Sequence, residues 1–230
     1  FNSYYNTVGP QHPRPQRGLL TRPAVGEVFA YRHAVDQRMD ALLARGDVSA
    51  DVRAIIELGL HHEQQHQELI ITDIKHVLAG HPLRPAYHDG ATRQADSPAA
   101  NGLPQDWIDL PDGVREIGCT GDGFCFDCEM PRHPVLLHGG RLATRPVTCG
   151  EFAEFIADGG YDRPDHWLSD GWHCVCARGW RAPLYWENLD GAWHQYTLHD
   201  RRPIEPREPV CHVSYFEADA YARWAGGRLE

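Results

Sequence analysis

The run from Ser49 to Gly80 constrains the fold of this chain most. Val52, Ile55, Ile56, Leu60, Ile70, Ile71, Ile74, Val77 and Leu78 recur at helical spacing, with Ser49 as a start and Pro82 as a stop. In the middle of that pattern stand His61-His62-Glu63-Gln64-Gln65-His66-Gln67-Glu68. At about 100° per residue, positions four apart lie roughly 40° from each other around a helix and one turn apart along it. His62 and His66 can therefore aim at one point, as a metal ion requires. An earlier run, Val25, Val28, Phe29, Val35, Met39, Leu42 and Leu43, follows a start at Thr21 and Pro23 and continues to Gly46. Two long amphipathic helices cannot bury their apolar faces alone, so they predict part of a helical bundle whose other helices lie upstream.

The histidine motif reads in two ways. His62-Glu63-x-x-His66 satisfies the zinc-metalloprotease pattern, in which the Glu is a general base. The same residues satisfy H-x-x-x-H-x-E, with Glu68 as the last member. A protease needs a third ligand. Leu69 and Thr72 stand where a Gly and a third His would follow, and the loop Arg84 to Gly90 carries no Glu about twenty residues on. On that ground the zinc-metalloprotease reading is the less favoured alternative.

The remainder changes character. Residues 1–20 are rich in Pro, Gly and Arg, and read as an irregular packed segment. Residues 81–115 are dominated by Pro, Gly, Ala, Asp and Ser, with Ser97-Pro98-Ala99-Ala100-Asn101-Gly102 at the centre, and read as a linker. Short strands are predicted at Val114 to Gly118, Val135 to Leu142 and Trp193 to Leu198, with helices at Cys149 to Ala157 and Tyr215 to Ala225. All seven tryptophans lie at or beyond Trp107. The fold class predicted is α+β: an incomplete helical bundle over 1–80, the linker, then an aromatic mixed domain over 116–230.

A chain of 230 residues with a formal net charge of -10 argues against nucleic-acid or anionic-membrane binding. No apolar run approaches the roughly eighteen residues that span a bilayer, and no signal-like segment opens the sequence. Beginning at Phe1 without Met and stopping at Glu230 just after a helical pattern, the chain reads as a fragment. Seven cysteines, an odd number, read as reduced cytoplasmic thiols. Cys125-x-x-Cys128 with Cys174-x-Cys176 offers a four-sulfur zinc site as an alternative to free thiols, although the second spacing is short for one.

Several segments, in order, resemble the ergothioneine-biosynthesis sulfoxide synthases. Phe1-Asn2-Ser3-Tyr4-Tyr5 and Arg14-Pro15-Gln16-Arg17-Gly18-Leu19-Leu20 are similar to the entry into that family's DinB-like helical domain. His62 to Glu68, continuing into Asp73-Ile74-Lys75-His76-Val77-Leu78, is similar to its metal helix. Glu129 to His133, Arg145 to Thr148, Trp167 to Trp172 and Pro209 to Ser214 resemble the formylglycine-generating-enzyme-like domain, which is C-type-lectin-like in fold. Cys128 and Cys149 depart from it, standing where comparable family segments carry Asn.

The resemblance implies iron(II) held by three histidines. Two of them carry over to His62 and His66, and the third comes from an earlier helix of the bundle that this chain lacks. It implies oxygen-dependent joining of hercynine to gamma-glutamylcysteine or cysteine, with oxidation of sulfur to a sulfoxide. Arg14 and Arg17 match a pair that grips the thiol's carboxylates, a task suited to the planar guanidinium. Gln65 matches a residue near the methylated ammonium or imidazole of hercynine. The family's proton-relaying tyrosine falls beyond Glu230, so no catalytic residue is assigned. Glu68 suits helix packing or support of the ligands rather than ligation. Ovothiol-type and selenium-using synthases share the architecture, and a non-catalytic DinB-like metal-binding scaffold is the alternative outside enzymology.

Overall fold

Two long helices open the computed structural model, which describes residues 9–13, 16, 19, 21–88, 106–121 and 123–226. Helix α1 spans Val25–Ala44 and α2 spans Ala50–Ala79. Thr21 does not cap α1. The cap position is Ala24, whose N–H donates to the Glu27 carboxylate at 2.7 Å. Ser49 does cap α2, its hydroxyl accepting from the Val52 N–H at 3.4 Å. The chain divides into two compact units, one up to His61 and one from His62 onward. Neither helix contains a buried residue, and Phe29, Ile55, Leu60 and Ile70 are exposed. Among the described residues no helix is long and apolar enough to cross a membrane.

The second unit is built from short elements. Strands β1 (Trp107–Leu110), β2 (Gly113–Ile117), β3 (His133–Leu137) and β4 (Gly140–Ala143) pair antiparallel as β1 with β4 and β2 with β3. The continuous strand predicted from Val135 to Leu142 is therefore two strands. β3 follows β2, with Val114 opposite Leu136, and β4 follows β1, with Ile108 opposite Leu142. Helices α3 (Cys149–Ala157) and α4 (Ser169–Arg178) precede, and α5 (Tyr215–Trp224) follows, a three-stranded antiparallel sheet of β5 (Trp186–Leu189), β6 (Ala192–Tyr196) and β7 (Arg201–Pro203). The architecture is α+β.

The region read as linker is fixed at both described ends. Tyr87 donates its N–H to Leu198 O at 2.8 Å and Tyr196 donates its hydroxyl to Pro85 O at 2.7 Å. At the other end, β1 and β2 are already sheet strands. Asp190-Gly191, with φ of 51° and 87°, turns β5 into β6, and the Asn188 side chain accepts from the Gly191 N–H at 3.0 Å.

The core sits among α3, α4 and α5. Phe152, Phe155, Tyr161, Trp167, Val175 and Ala220 are buried together, and Trp172, Phe216, Tyr221 and Trp224 pack against them. Four of the seven tryptophans, Trp167, Trp172, Trp180 and Trp224, lie in or against this core, and Trp167 donates its indole N–H to Gly160 O at 2.7 Å. A methyl on Gly171 would lie 2.7 Å from the Phe216 side chain, so α4 and α5 approach only because that position is glycine. Two reciprocal caps start the flanking helices, Thr148 with Glu151 on α3 and Ser214 with Glu217 on α5.

Glu151 does more than cap. Its carboxylate accepts from Arg145 at 2.7 and 2.9 Å, and from the Thr148 N–H and hydroxyl at 2.9 and 3.0 Å. The Arg145 guanidinium holds this carboxyl at about 2, well below its ordinary 4.5. A depressed folded value gives stability that is complete above 4.5 and lost as pH falls through about 2. Glu151→Gln should cost about 1.5–3 kcal/mol near neutral pH. It should also flatten the acid destabilisation between those limits, as read by urea denaturation across a pH series.

Candidate metal centre

The helical register of α2 sets the site. His62 and His66 lie within one uninterrupted helix, and their Nε2 atoms are 3.2 Å apart. The rings meet edge to face with centroids 4.5 Å apart. One nitrogen donates to the other in this arrangement. Two imidazole nitrogens about 2.1 Å from one ion, in neighbouring coordination positions, stand about 3.0–3.4 Å apart. The pair thus fits two positions on a single metal without a change of helix geometry. Both side chains are exposed, which leaves room for further ligands.

Two donors are what these residues bring. Among the described residues no group of three or more His, Cys, Asp or Glu side chains converges as a metal site. The four-sulfur alternative is therefore corrected: Cys125, Cys128, Cys174 and Cys176 are free thiols, and the last two ride on α4. Spacing alone could not decide this, because it says nothing of whether loop and helix approach. Gln65 lies on the same turn as the histidines, roughly 60° around the axis from His62, and is exposed. Glu68 is exposed and lies nearly opposite His66. Arg14 and Arg17 lie outside the described residues.

A second polar cluster forms at the other end of the same helix. Lys75 and His76 meet Tyr185 and His212 there. His212 lies in the segment Pro209 to Ser214 and Lys75 in the continuation of the metal helix, yet nothing in the sequence brings them together. Tyr185 carried no signal at all.

A model of the sulfatase-modifying factor enzyme 1-like domain matches residues 93–230, more than half of the chain. The chain belongs to that family. It is similar to hercynine oxygenases, as its resemblance to the ergothioneine-biosynthesis sulfoxide synthases implied. The enzyme of Mycolicibacterium thermoresistibile is 34% identical over 222 residues, covering 95% of this chain and 47% of the relative. That of Mycolicibacterium smegmatis is 36% identical over 174 residues, covering 75% of this chain and 38% of the relative. A formylglycine-generating enzyme from Streptomyces coelicolor is 34% identical over 134 residues, covering 53% of this chain and 43% of that protein. The chain spans about half the length, or less, of these curated relatives.

The pairing of the two imidazoles makes a direct prediction for this sulfatase-modifying-factor-like chain in its complete protein. Either His62→Ala or His66→Ala should weaken binding of a divalent metal by at least about tenfold, since lesser changes around metal ligands already cost that much. His61→Ala, about 120° off the shared direction, should leave affinity within a factor of about two. Isothermal titration with cobalt(II) reads all three.

Proposed function

We propose that the chain is part of a hercynine oxygenase, an oxidoreductase of ergothioneine biosynthesis. Hercynine, a cysteine-type thiol and oxygen would give the S-linked sulfoxide and water. The balance closes: the thiol and the imidazole C–H each give up hydrogen, one oxygen atom goes to sulfur and the other leaves as water. The observation that carries the reading is likeness to a hercynine oxygenase over 95% of the chain, with the paired nitrogens of His62 and His66 inside it. In this reading residues 1–80 are the C-terminal part of a DinB-like helical domain, 81–115 connect, and 116–230 are the N-terminal part of the formylglycine-generating-enzyme-like domain. Seven free thiols fit a cytoplasmic protein.

His62 and His66 would supply two neutral donors to an iron(II), and the metal would supply redox chemistry with oxygen at positions left open for substrate. The protein's own residues do the positioning. Arg14 and Arg17 hold the carboxylates of gamma-glutamylcysteine through charge-assisted forks, and Gln65 faces hercynine. Glu63 takes no proton in this chemistry. In a metalloprotease it would be the general base.

Two substitutions in the complete enzyme test this. Arg17→Ala should raise the apparent KM for gamma-glutamylcysteine about ten- to a hundredfold, the cost of one charge-assisted contact, and barely change that for hercynine. Free cysteine, lacking the glutamyl carboxylate, should suffer less. Equal weakening for both thiols would show that the pair does not read the glutamyl group. Glu63→Gln should leave hercynine-dependent oxygen uptake largely intact. Loss of turnover with metal still bound would mean a different class of enzyme.

A further inference from the structure

From His62 to Asp73 every side chain of α2 is exposed, and beyond it partial burial falls at Ile74 and Lys75 and again at Leu78 and Ala79. That stripe is one helix face, two residues repeated at a spacing of four. The helix carrying the candidate ligands is therefore held within the second unit by its C-terminal end. A half-buried Lys sits in that hold. Its Nζ is 2.7 Å from His212 Nε2 and 5.0 Å from the centre of the Tyr185 ring. The Tyr185 ring in turn stands edge-on to His212, with centroids 4.8 Å apart, and its hydroxyl is 3.1 Å from His76 Nδ1.

The two loops that present these groups are themselves unusual. Tyr185 and His212 both have left-handed backbone, φ 73° and 62°. Large side chains adopt it only where the surroundings impose it, and such strain gathers at functional sites. The Leu184 N–H donates to His212 O at 3.1 Å, tying the loops together. Tyr185, with Leu184 and Trp186, lines both of two cavities of about 780 and 240 Å³, the smaller also lined by His76.

We propose that Lys75, gripped by His212 and Tyr185, is the positioning residue that sets the tilt of the metal-bearing helix. The proposal rests on the reading of His62 and His66 as ligands. At 1.5 Å per residue, His66 lies about 14 Å and His62 about 20 Å from Lys75 along the axis, so a tilt of about 3° moves His62 by about 1 Å. Misplacement of that size costs about a hundredfold in rate where reacting groups must meet.

The grip works in one protonation state. An ammonium donates its proton to an imidazole that is neutral at Nε2, and burial beside Lys75 lowers the His212 pKa from its ordinary 6.5. Among the described residues the other charged and titratable groups around His212 are Cys211, Tyr185 with His76 behind it and, on the walls of the larger cavity, Arg178, Arg181, Glu187 and Glu217. Both carboxylates are engaged elsewhere, Glu187 by Arg84 and Arg201 and Glu217 by the Tyr161 hydroxyl and the Ser214 N–H. A proton on His212 therefore meets an ammonium rather than an anion. Because the folded pKa is the lower one, the stabilisation is complete above 6.5 and is lost as pH falls below it.

Hydrogen–deuterium exchange on the complete, metal-free protein tests the grip, read on peptides covering residues 67–79 with α3 as the folding control. Protection in the wild type should fall about tenfold between pH of about 7.5 and 5, after correction for intrinsic exchange. His212→Gln, whose carbonyl still accepts from Lys75 and does not titrate, should keep protection at both values. Lys75→Met, which keeps the apolar stem, should lose it at both. In turnover by the loaded enzyme, Lys75→Met should lower kcat about ten- to a hundredfold and leave the KM of the thiol within a factor of about two. Wild-type protection in Lys75→Met, wild-type pH dependence in His212→Gln, or an unchanged kcat overturns the proposal. If the wild type turned over no hercynine, the functional reading would fail, and the exchange data would still decide whether Lys75 anchors the helix.

Discussion

A helix with no buried residue keeps its direction only through whatever holds it. In α2 the described holding contacts of the second unit gather in its last turns and in the chain just beyond. There Tyr87 and Pro85 are hydrogen-bonded to residues at the end of β6, and Arg84 pairs with Glu187 of β5. The candidate ligands sit about two and a half (His66) and three and a half (His62) turns upstream of Lys75, and about one turn more from Ala79. An α-helix is stiff over that distance, since each residue adds a backbone hydrogen bond. Orientation imposed at Ala79 is therefore transmitted to His62, and so is any error in it.

The second unit can serve as an anchor because its own core is independent of the long helices. α3, α4 and α5 bring Phe152, Phe155, Trp167 and Val175 together. The polar groups inside that core are satisfied. Glu217, only 5% exposed, accepts from the Tyr161 hydroxyl at 2.6 Å and from its own cap residue Ser214. Burial next to that carboxylate drives the Tyr161 pKa upward, because a second negative charge there would be unsupported. Cys149, deeply buried beside the loop of Glu208, is likewise pushed up to about 12. These are packing groups, with no role in the chemistry proposed for His62 and His66.

Much of this was open to reading from the residues. Both long helices stand within a few residues of their predicted bounds, since apolar spacing and end signals are local properties. α3 and α5 were found for the same reason. α4 was not, because Ser169 to Arg178 carries Gly171, His173 and two cysteines, and its apolar residues Trp172 and Val175 suggest no clear stripe. It is helical because Gly171 lets it seat against Phe216. The hairpin of β5 and β6 had its signal in Asp190-Gly191. The break between β3 and β4 had its signal in Gly139-Gly140, although which earlier strand each side pairs with had none.

By itself the sequence determined that two imidazoles a helical turn apart would point the same way, and which family the second part resembles. Both follow from short-range geometry or from ordered segments of a single chain. Only the tertiary structure decided that the cysteine pairs stay apart and that β1, inside the stretch read as linker, is a sheet strand paired with β4. It alone brought Lys75 to His212 across 137 positions of sequence. Contacts at that separation are set by packing of whole elements, and no local spacing encodes them.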